Sequence, residues 1–342
     1  MKVKKIGIVS LSSGVLGEDF VAHEVKIGIE RLKKYGIEVE FLPNSKKGIE
    51  FIKNNPEARA KDLIKAFEDD SIDMILTAIG GDDTYRLLPY LFENNELKIA
   101  KQKIFLGFSD TTMNHFMLNK VGIKTFYGQA FLPDICELSN EMLPYSEHFF
   151  EELINNGKIK EIYPSDVWYN EREDFSEKAI GISMKEHHNS GFELLRGNAK
   201  FEGQILGGCL DSIFNIFDTP RYEDTVSLCQ KYNLFPSLNE WKNKILLLET
   251  SEERPKPELF RKMILKLQEY GIFDVISGLI IGKPQNEEYY NEYKQIILDE
   301  IRNKNLSIVY NINIGHSTPR CIIPFGVDAK VDVEKQIIEF KE

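Results

Sequence analysis

Over its first 130 residues the chain alternates short apolar runs with amphipathic stretches. Lys5–Ser10, Ile37–Leu42, Asp73–Ile79, Lys103–Gly107 and Lys124–Tyr127 read as strands, since each is short, apolar or alternating, and bounded by polar or glycine-rich sequence. Phe20–Tyr35 carries Val21, Val25, Ile29 and Leu32 at helical spacing and stops at Gly36, so it reads as a helix. Ala58–Asp69, Asp110–Asn119 and Glu147–Asn156 follow the same logic. Strand–helix alternation with apolar strands predicts a parallel sheet covered on both faces. Such sheets bind ligands at the carboxyl ends of their strands, and here those ends are rich in glycine.

The texture changes after Asn156. The stretch around Pro164, Trp168 and the charged run 170–174 has no clear period. These patterns divide the chain into an α/β domain at 1–160, a connection at 161–176 and a second domain at 177–342. Strands are expected in the latter at Phe201–Gly207, Lys244–Leu248, Gly278–Ile281, Ile308–Ile312, Val327–Asp332 and Gln336–Phe340. Helices are expected at Leu210–Phe217 and Pro257–Tyr270.

Composition narrows the function. The 342 residues include 43 Lys and Arg against 54 Asp and Glu, a net charge of −11. That offers no basic footprint for a phosphate backbone, so nucleic acid is not an expected partner. No apolar run approaches the roughly 18 residues of a spanning helix, so no membrane partner is expected either. The opening MKVKKIGIVS reads as a first strand and not as an export signal. Cys136, Cys209, Cys229 and Cys321 form no CxxC pair, which points to reduced thiols in the cytoplasm. The six histidines make no HExxH, and no metal site is expected.

Three stretches can carry chemistry. In Gly107-Phe108-Ser109-Asp110-Thr111 a serine stands at a sharp strand-to-helix junction, and the N–H of Asp110 points where an oxyanion would form. Either Ser109 or Asp110 could instead be a helix cap. Gly80-Gly81-Asp82-Asp83-Thr84 also follows an apolar strand, and its glycines let the backbone approach a ligand. It can be a capped turn, or a relative of the GGDGT loop of NAD and lipid kinases with Asp83 in place of the glycine. Asn313–Arg320 holds His316 in a loop past an apolar strand, where a general base or a plain surface histidine could sit. Glu249 ends the apolar run Ile245–Leu248. A carboxylate there needs a partner, and an imidazole needs a carboxylate to fix its tautomer. If the two pair, activity should rise through the histidine range, near pH 6 to 7.

Together these residues resemble the LD-carboxypeptidase-like serine peptidases, more narrowly their microcin self-immunity branch. The resemblance rests on IGGDDTYRLLPYL (79–91), GFSDT (107–111), PSDVW (164–168), GQILGGCL (203–210), ILLLE (245–249), YGIFDVISGLIIG (270–282) and IGHSTPRCIIPFG (314–326). It implies an N-terminal doubly wound, flavodoxin-like α/β domain and a C-terminal domain built around a small β-barrel, assembled as a homodimer. It implies Ser109 as nucleophile, His316 as base and Glu249 as orienting acid. Gly81 and Asp110 would supply the oxyanion hole, with Asp82, Trp168 and Cys209 at the substrate. Trp168 matches a tryptophan that stacks on a nucleobase in the microcin branch, or packs at the hinge. Cys209 stands where the family commonly has asparagine. Glu252 and Glu253 stand where the microcin branch often has a basic residue.

The implied activity is hydrolysis of amide bonds without cofactor, in muropeptides or in peptidyl- or aminoacyl-nucleotide conjugates. The alternatives are a phosphotransferase built on GGDDT and a non-catalytic binding protein on the same fold.

Overall fold

In the computed structural model, residues 2–93, 97, 100–219 and 221–341 are described. The first sheet is built from β1 (Lys5–Val9), β2 (Glu38–Phe41), β3 (Met74–Thr77), β4 (Ile104–Gly107) and β5 (Thr125–Tyr127). They run parallel in the order β5-β4-β3-β1-β2. The apolar runs that predicted these strands are the reason they lie inside: β3, β4 and β5 are buried throughout. The helices Ala22–Lys34, Pro56–Glu68, Thr112–Lys120 and Pro144–Asn156 cover the sheet with Leu32, Phe67, Phe116 and Phe149, all fully buried. The doubly wound expectation holds.

The second sheet uses β6 (Glu161–Ile162), while β7 (Val167–Tyr169) and β8 (Glu186–His188) form a separate two-stranded pair. It continues with β9 (Glu193–Arg196), β10 (Lys200–Cys209), β11 (Ile245–Glu249), β12 (Gly278–Gly282) and β13 (Ser307–Ile312). After β14 (Ile323–Phe325) come β15 (Asp328–Asp332) and β16 (Ile337–Lys341). The order is β6-β16-β15-β10-β11-β12-β13-β9, curled into a half-barrel. The long strand β10 makes the curl possible. Its first half pairs antiparallel with β15, and its second half, Ile205–Cys209, pairs parallel with β11.

Two pairings cross the stretch that looked like a connection. β6 is an edge strand of the second sheet, beside β16. β14 leaves its neighbours in sequence and adds antiparallel to β5, with Ile323 opposite Tyr127. Pro324 hides this strand from a sequence reading. A proline lacks the donor a central strand needs, but an edge strand tolerates it. The helix Tyr290–Glu300 was also not foreseen, because its inward face amounts to little more than Tyr293, Ile296 and Ile297.

Candidate active site

Ser109 follows directly on β4 and its buried flanking residue Phe108. Its φ is +63°, in the left-handed region that side chains other than glycine seldom adopt. Such strain costs about 1–3 kcal/mol and persists only where neighbours impose it. Here the Ser109 N–H donates to Tyr127 Oη at 3.2 Å, and Thr112 Oγ1 donates to Ser109 O at 2.7 Å. Gly80 leaves the room: a Cβ there would lie 2.6 Å from Ser109 Cβ and 2.7 Å from its Oγ. The capping alternative fails. Neither Ser109 nor Asp110 makes a side-chain cap bond. The Asp110 carboxylate accepts instead from Ser12 Oγ at 2.7 Å and from the Thr84 N–H at 2.9 Å. Burial pushes its pKa up to about 6 despite those donors.

Glu249 is the last residue of β11, and its register partner on β10 is Cys209. Its carboxylate is buried, yet three donors reach it. Tyr127 Oη donates to Oε1 at 2.6 Å. The His316 N–H and Nδ1–H donate to Oε2 at 3.2 and 2.8 Å. Because a carboxylate only accepts, Nδ1 must carry a proton, which leaves Nε2 facing Ser109 Oγ at 3.1 Å. Gly315 permits this approach: a Cβ there would meet Glu249 Cδ at 2.2 Å. Burial acts to lower the His316 pKa, but Glu249 and Glu252 outweigh it and raise it to about 10. The structure thus brings Ser109, His316 and Glu249 into one hydrogen-bonded line from three distant parts of the chain.

Two residues of this cluster were missed. Tyr127 bridges the nucleophile turn and the acid, and only its position at the end of β5 hinted at that. Glu252 places Oε2 2.9 Å from His316 Nε2, the nitrogen that also faces Ser109. Its hydrogen bond to His316 holds its pKa down at about 2.

The remaining expected residues surround the nucleophile unevenly. Gly81, Asp82, Asp110 and Cys209 line a cavity of about 170 Å³ beside Ser109. Asp82 accepts from Tyr222 Oη at 3.2 Å and pairs with Arg221 at 3.4 Å. Burial and the charge of Glu249 hold the Cys209 thiol well above its ordinary pKa. Cys209, Glu249 and His316 offer three donor atoms within 4.8 Å of one another, a set that could meet on a cation. A larger cavity of about 600 Å³ adjoins the small one, sharing Gly81, Ser109 and Glu252 and reaching His316. The exposed rings of Phe20 and Phe175 and the buried ring of Phe108 line it. Trp168 does not. It lies in β7, 7% exposed, stacked on His187 at 4.2 Å between centroids, with Lys283 Nζ 5.1 Å from its ring. Asp83, on which a kinase reading of GGDDT turns, is the buried partner of Arg59 at 2.6 Å.

With this geometry in view, comparison with known proteins is decisive. Residues 6–128 match the profile of the LD-carboxypeptidase N-terminal domain, and residues 202–331 match that of the C-terminal domain. The chain belongs to the LD-carboxypeptidase family of serine peptidases. Within the family it is similar to an MccF-like protein from Streptococcus pneumoniae, whose crystal structure contains AMP. The two are 65% identical, with 99% of each chain covered and a TM-score of 0.98. The microcin C7 self-immunity protein MccF of Escherichia coli is 24% identical, over 92% of this chain and 87% of that protein. A solved structure of MccF with aspartyl sulfamoyl adenosine shares the fold at a TM-score of 0.80 and 21% identity, covering 100% of this chain and 97% of the other. Membership makes the chain a serine peptidase, so the phosphotransferase alternative is set aside. Among the described residues no helix is long and apolar enough to cross a membrane.

Proposed function

We propose that this LD-carboxypeptidase family member hydrolyses amide-type bonds in aminoacyl- or peptidyl-nucleotide conjugates, with Ser109, His316 and Glu249 as its triad. Ser109 Oγ attacks the carbonyl carbon while its proton passes to His316 Nε2. Glu249 fixes the tautomer and stabilises the imidazolium. The N–H groups of Gly81 and Asp110 take the developing oxyanion. His316 then protonates the departing amine, and an acyl-enzyme on Ser109 is cleaved by water along the same path. The observation that carries this reading is the continuous line Ser109 Oγ, His316 and Glu249, with the serine held at positive φ.

A nucleotide conjugate is favoured over a muropeptide by the two cavities. A space of about 600 Å³ with exposed Phe20 and Phe175 suits a nucleoside. The small cavity, of about 170 Å³, suits a single acyl residue and not a peptide chain. In this reading the base stacking expected of Trp168 passes to Phe20 and Phe175, and Trp168 supports the β7–β8 pair. Asp82 and Cys209 contact the acyl side. The AMP complex of the 65%-identical relative supports a nucleotide in this fold. The four cysteines are all free and buried, which supports a reducing, cytoplasmic setting, and a homodimer is the proposed assembly. The test is mass spectrometry of products from a panel of muropeptides and aminoacyl sulfamoyl adenylates. Cleavage of the muropeptides alone, or undiminished cleavage by Ser109→Ala protein, would refute the proposal.

A further inference from the structure

The small cavity has an unusual charge for a place beside a nucleophile. Its lining contains five carboxylates, those of Asp82, Asp110, Asp211, Glu252 and Glu253, and one basic side chain, Arg221. Arg221 bridges Asp82 and Glu253, so these three leave one negative charge. Asp110 turns its carboxylate to Ser12 and Thr84. Asp211 accepts from neutral donors, the Ser251 N–H at 3.0 Å, the Ser251 hydroxyl and the distant Cys209 thiol. Among the described residues no lysine or arginine forms a salt bridge with Asp211 or Glu252. Glu252 instead rests on His316 Nε2 at 2.9 Å, while 62% of its side-chain surface stays open to solvent. It is therefore both engaged and free to move.

Volume decides what can enter. A nucleoside needs the 600 Å³ space, whereas about 170 Å³ fits a single amino-acid residue. On the reading above, the acyl residue goes into the small cavity. We propose that Glu252 selects acyl residues with a cationic side chain, as the counter-ion of that side chain, and that this pairing draws it off His316. While Nε2–H donates to Glu252, the imidazole has no lone pair there for the Ser109 proton. When a side-chain ammonium of the substrate takes Glu252, the imidazolium releases its Nε2 proton to water, and the lone pair turns to Ser109. Charge is conserved, because the arriving cation replaces the departing proton. Substrates without that cation leave the base occupied.

The test uses lysyl, norleucyl and aspartyl sulfamoyl adenosine, which share the α-ammonium and differ in the charge of the side chain. The full-length protein should turn them over in the order lysyl, norleucyl, aspartyl. The span between first and last should be roughly tenfold or more at low salt, shrinking as salt screens the site. Glu252→Gln should compress the span and raise the relative rate on the norleucyl conjugate. Binding of the three conjugates to Ser109→Ala protein, measured by calorimetry, gives the same order without turnover. Equal affinities, or an aspartyl conjugate that binds and reacts best, would overturn the selection by Glu252. Those results would leave the triad untouched, since loss of turnover of any of the three conjugates by Ser109→Ala protein tests it separately. A span unchanged by Glu252→Gln would also overturn the proposal.

Discussion

The glycine before the histidine offers a test that separates the site from the fold. Gly315 and Gly36 have the same φ, +73°. A Cβ at Gly36 meets nothing within 4 Å, while one at Gly315 would lie 2.2 Å from Glu249 Cδ and 2.3 Å from its Oε2. Placing alanine in the left-handed region costs about 1 kcal/mol at either site. Gly36→Ala measures that cost alone. At Gly315 the new methyl must reach a van der Waals separation of about 3.5 Å, so the Glu249 carboxylate has to retreat by more than about 1 Å. That breaks the 2.8 Å bond to His316 Nδ1. A misplacement of this size costs roughly 10²-fold in rate. Labelling of Ser109 by a fluorophosphonate reads the triad without assuming a substrate, and urea unfolding reads stability. We expect Gly36→Ala to lose about 1 kcal/mol with unchanged labelling. We expect Gly315→Ala to label about 100-fold more slowly while most of the protein stays folded. Labelling of Gly315→Ala within threefold of Gly36→Ala would mean that the Glu249 contact does not govern the nucleophile.

Five further outcomes follow from the geometry. Ser109→Ala and His316→Ala should each lower turnover by about 10⁴ to 10⁶, and the double variant hardly further, since the groups act as one unit; additive losses in steady-state kinetics would contradict this. Because two carboxylates raise His316 to about 10, kcat/KM should climb above the pH 6 to 7 range of an ordinary histidine, and Glu252→Gln should move the rise downward. The same raised value means that protonated His316 stabilises the fold fully below pH 6.5, its ordinary value, and that this contribution fades as pH approaches 10, which denaturation at several pH values checks. Arg59→Met should lose about 3 kcal/mol in urea unfolding, because it leaves the buried Asp83 carboxylate with only Arg86, at 3.7 Å. Phe175→Ala should raise the KM for an aminoacyl sulfamoyl adenylate about tenfold or more, at 1–3 kcal/mol per stacked base, and spare a muropeptide; equal losses would make Phe175 structural.

Much of this protein was legible in the chain itself. Apolar runs ending in glycine marked the strands of the first sheet, because a buried parallel strand has no polar face to interrupt it. The serine after β4, the acid at the end of β11 and the histidine in its glycine-flanked loop were each visible as a polar group at or just past the end of a buried strand. Local sequence could show that each was poised, but not that they meet. Ser109 and His316 are 207 positions apart, and the pairing of β4 with β5 and of β5 with β14 closes that distance. Tyr127 illustrates the difference. As a residue it is one more aromatic in a strand; in the fold its hydroxyl takes the Ser109 N–H and donates to Glu249, a role fixed by where β5 ends. Trp168 illustrates the reverse. Its motif suggested a ligand contact or packing at the hinge, and the pairing of β7 with β8 stacks the ring on His187, outside the cavity that Phe20 and Phe175 line. Glu252 followed the same rule, because a charge three residues after a strand is ordinary until the chain folds it back over the histidine. Sequence period specifies which face of an element is buried; the direction of a loop side chain depends on contacts between elements, and those exist only in three dimensions.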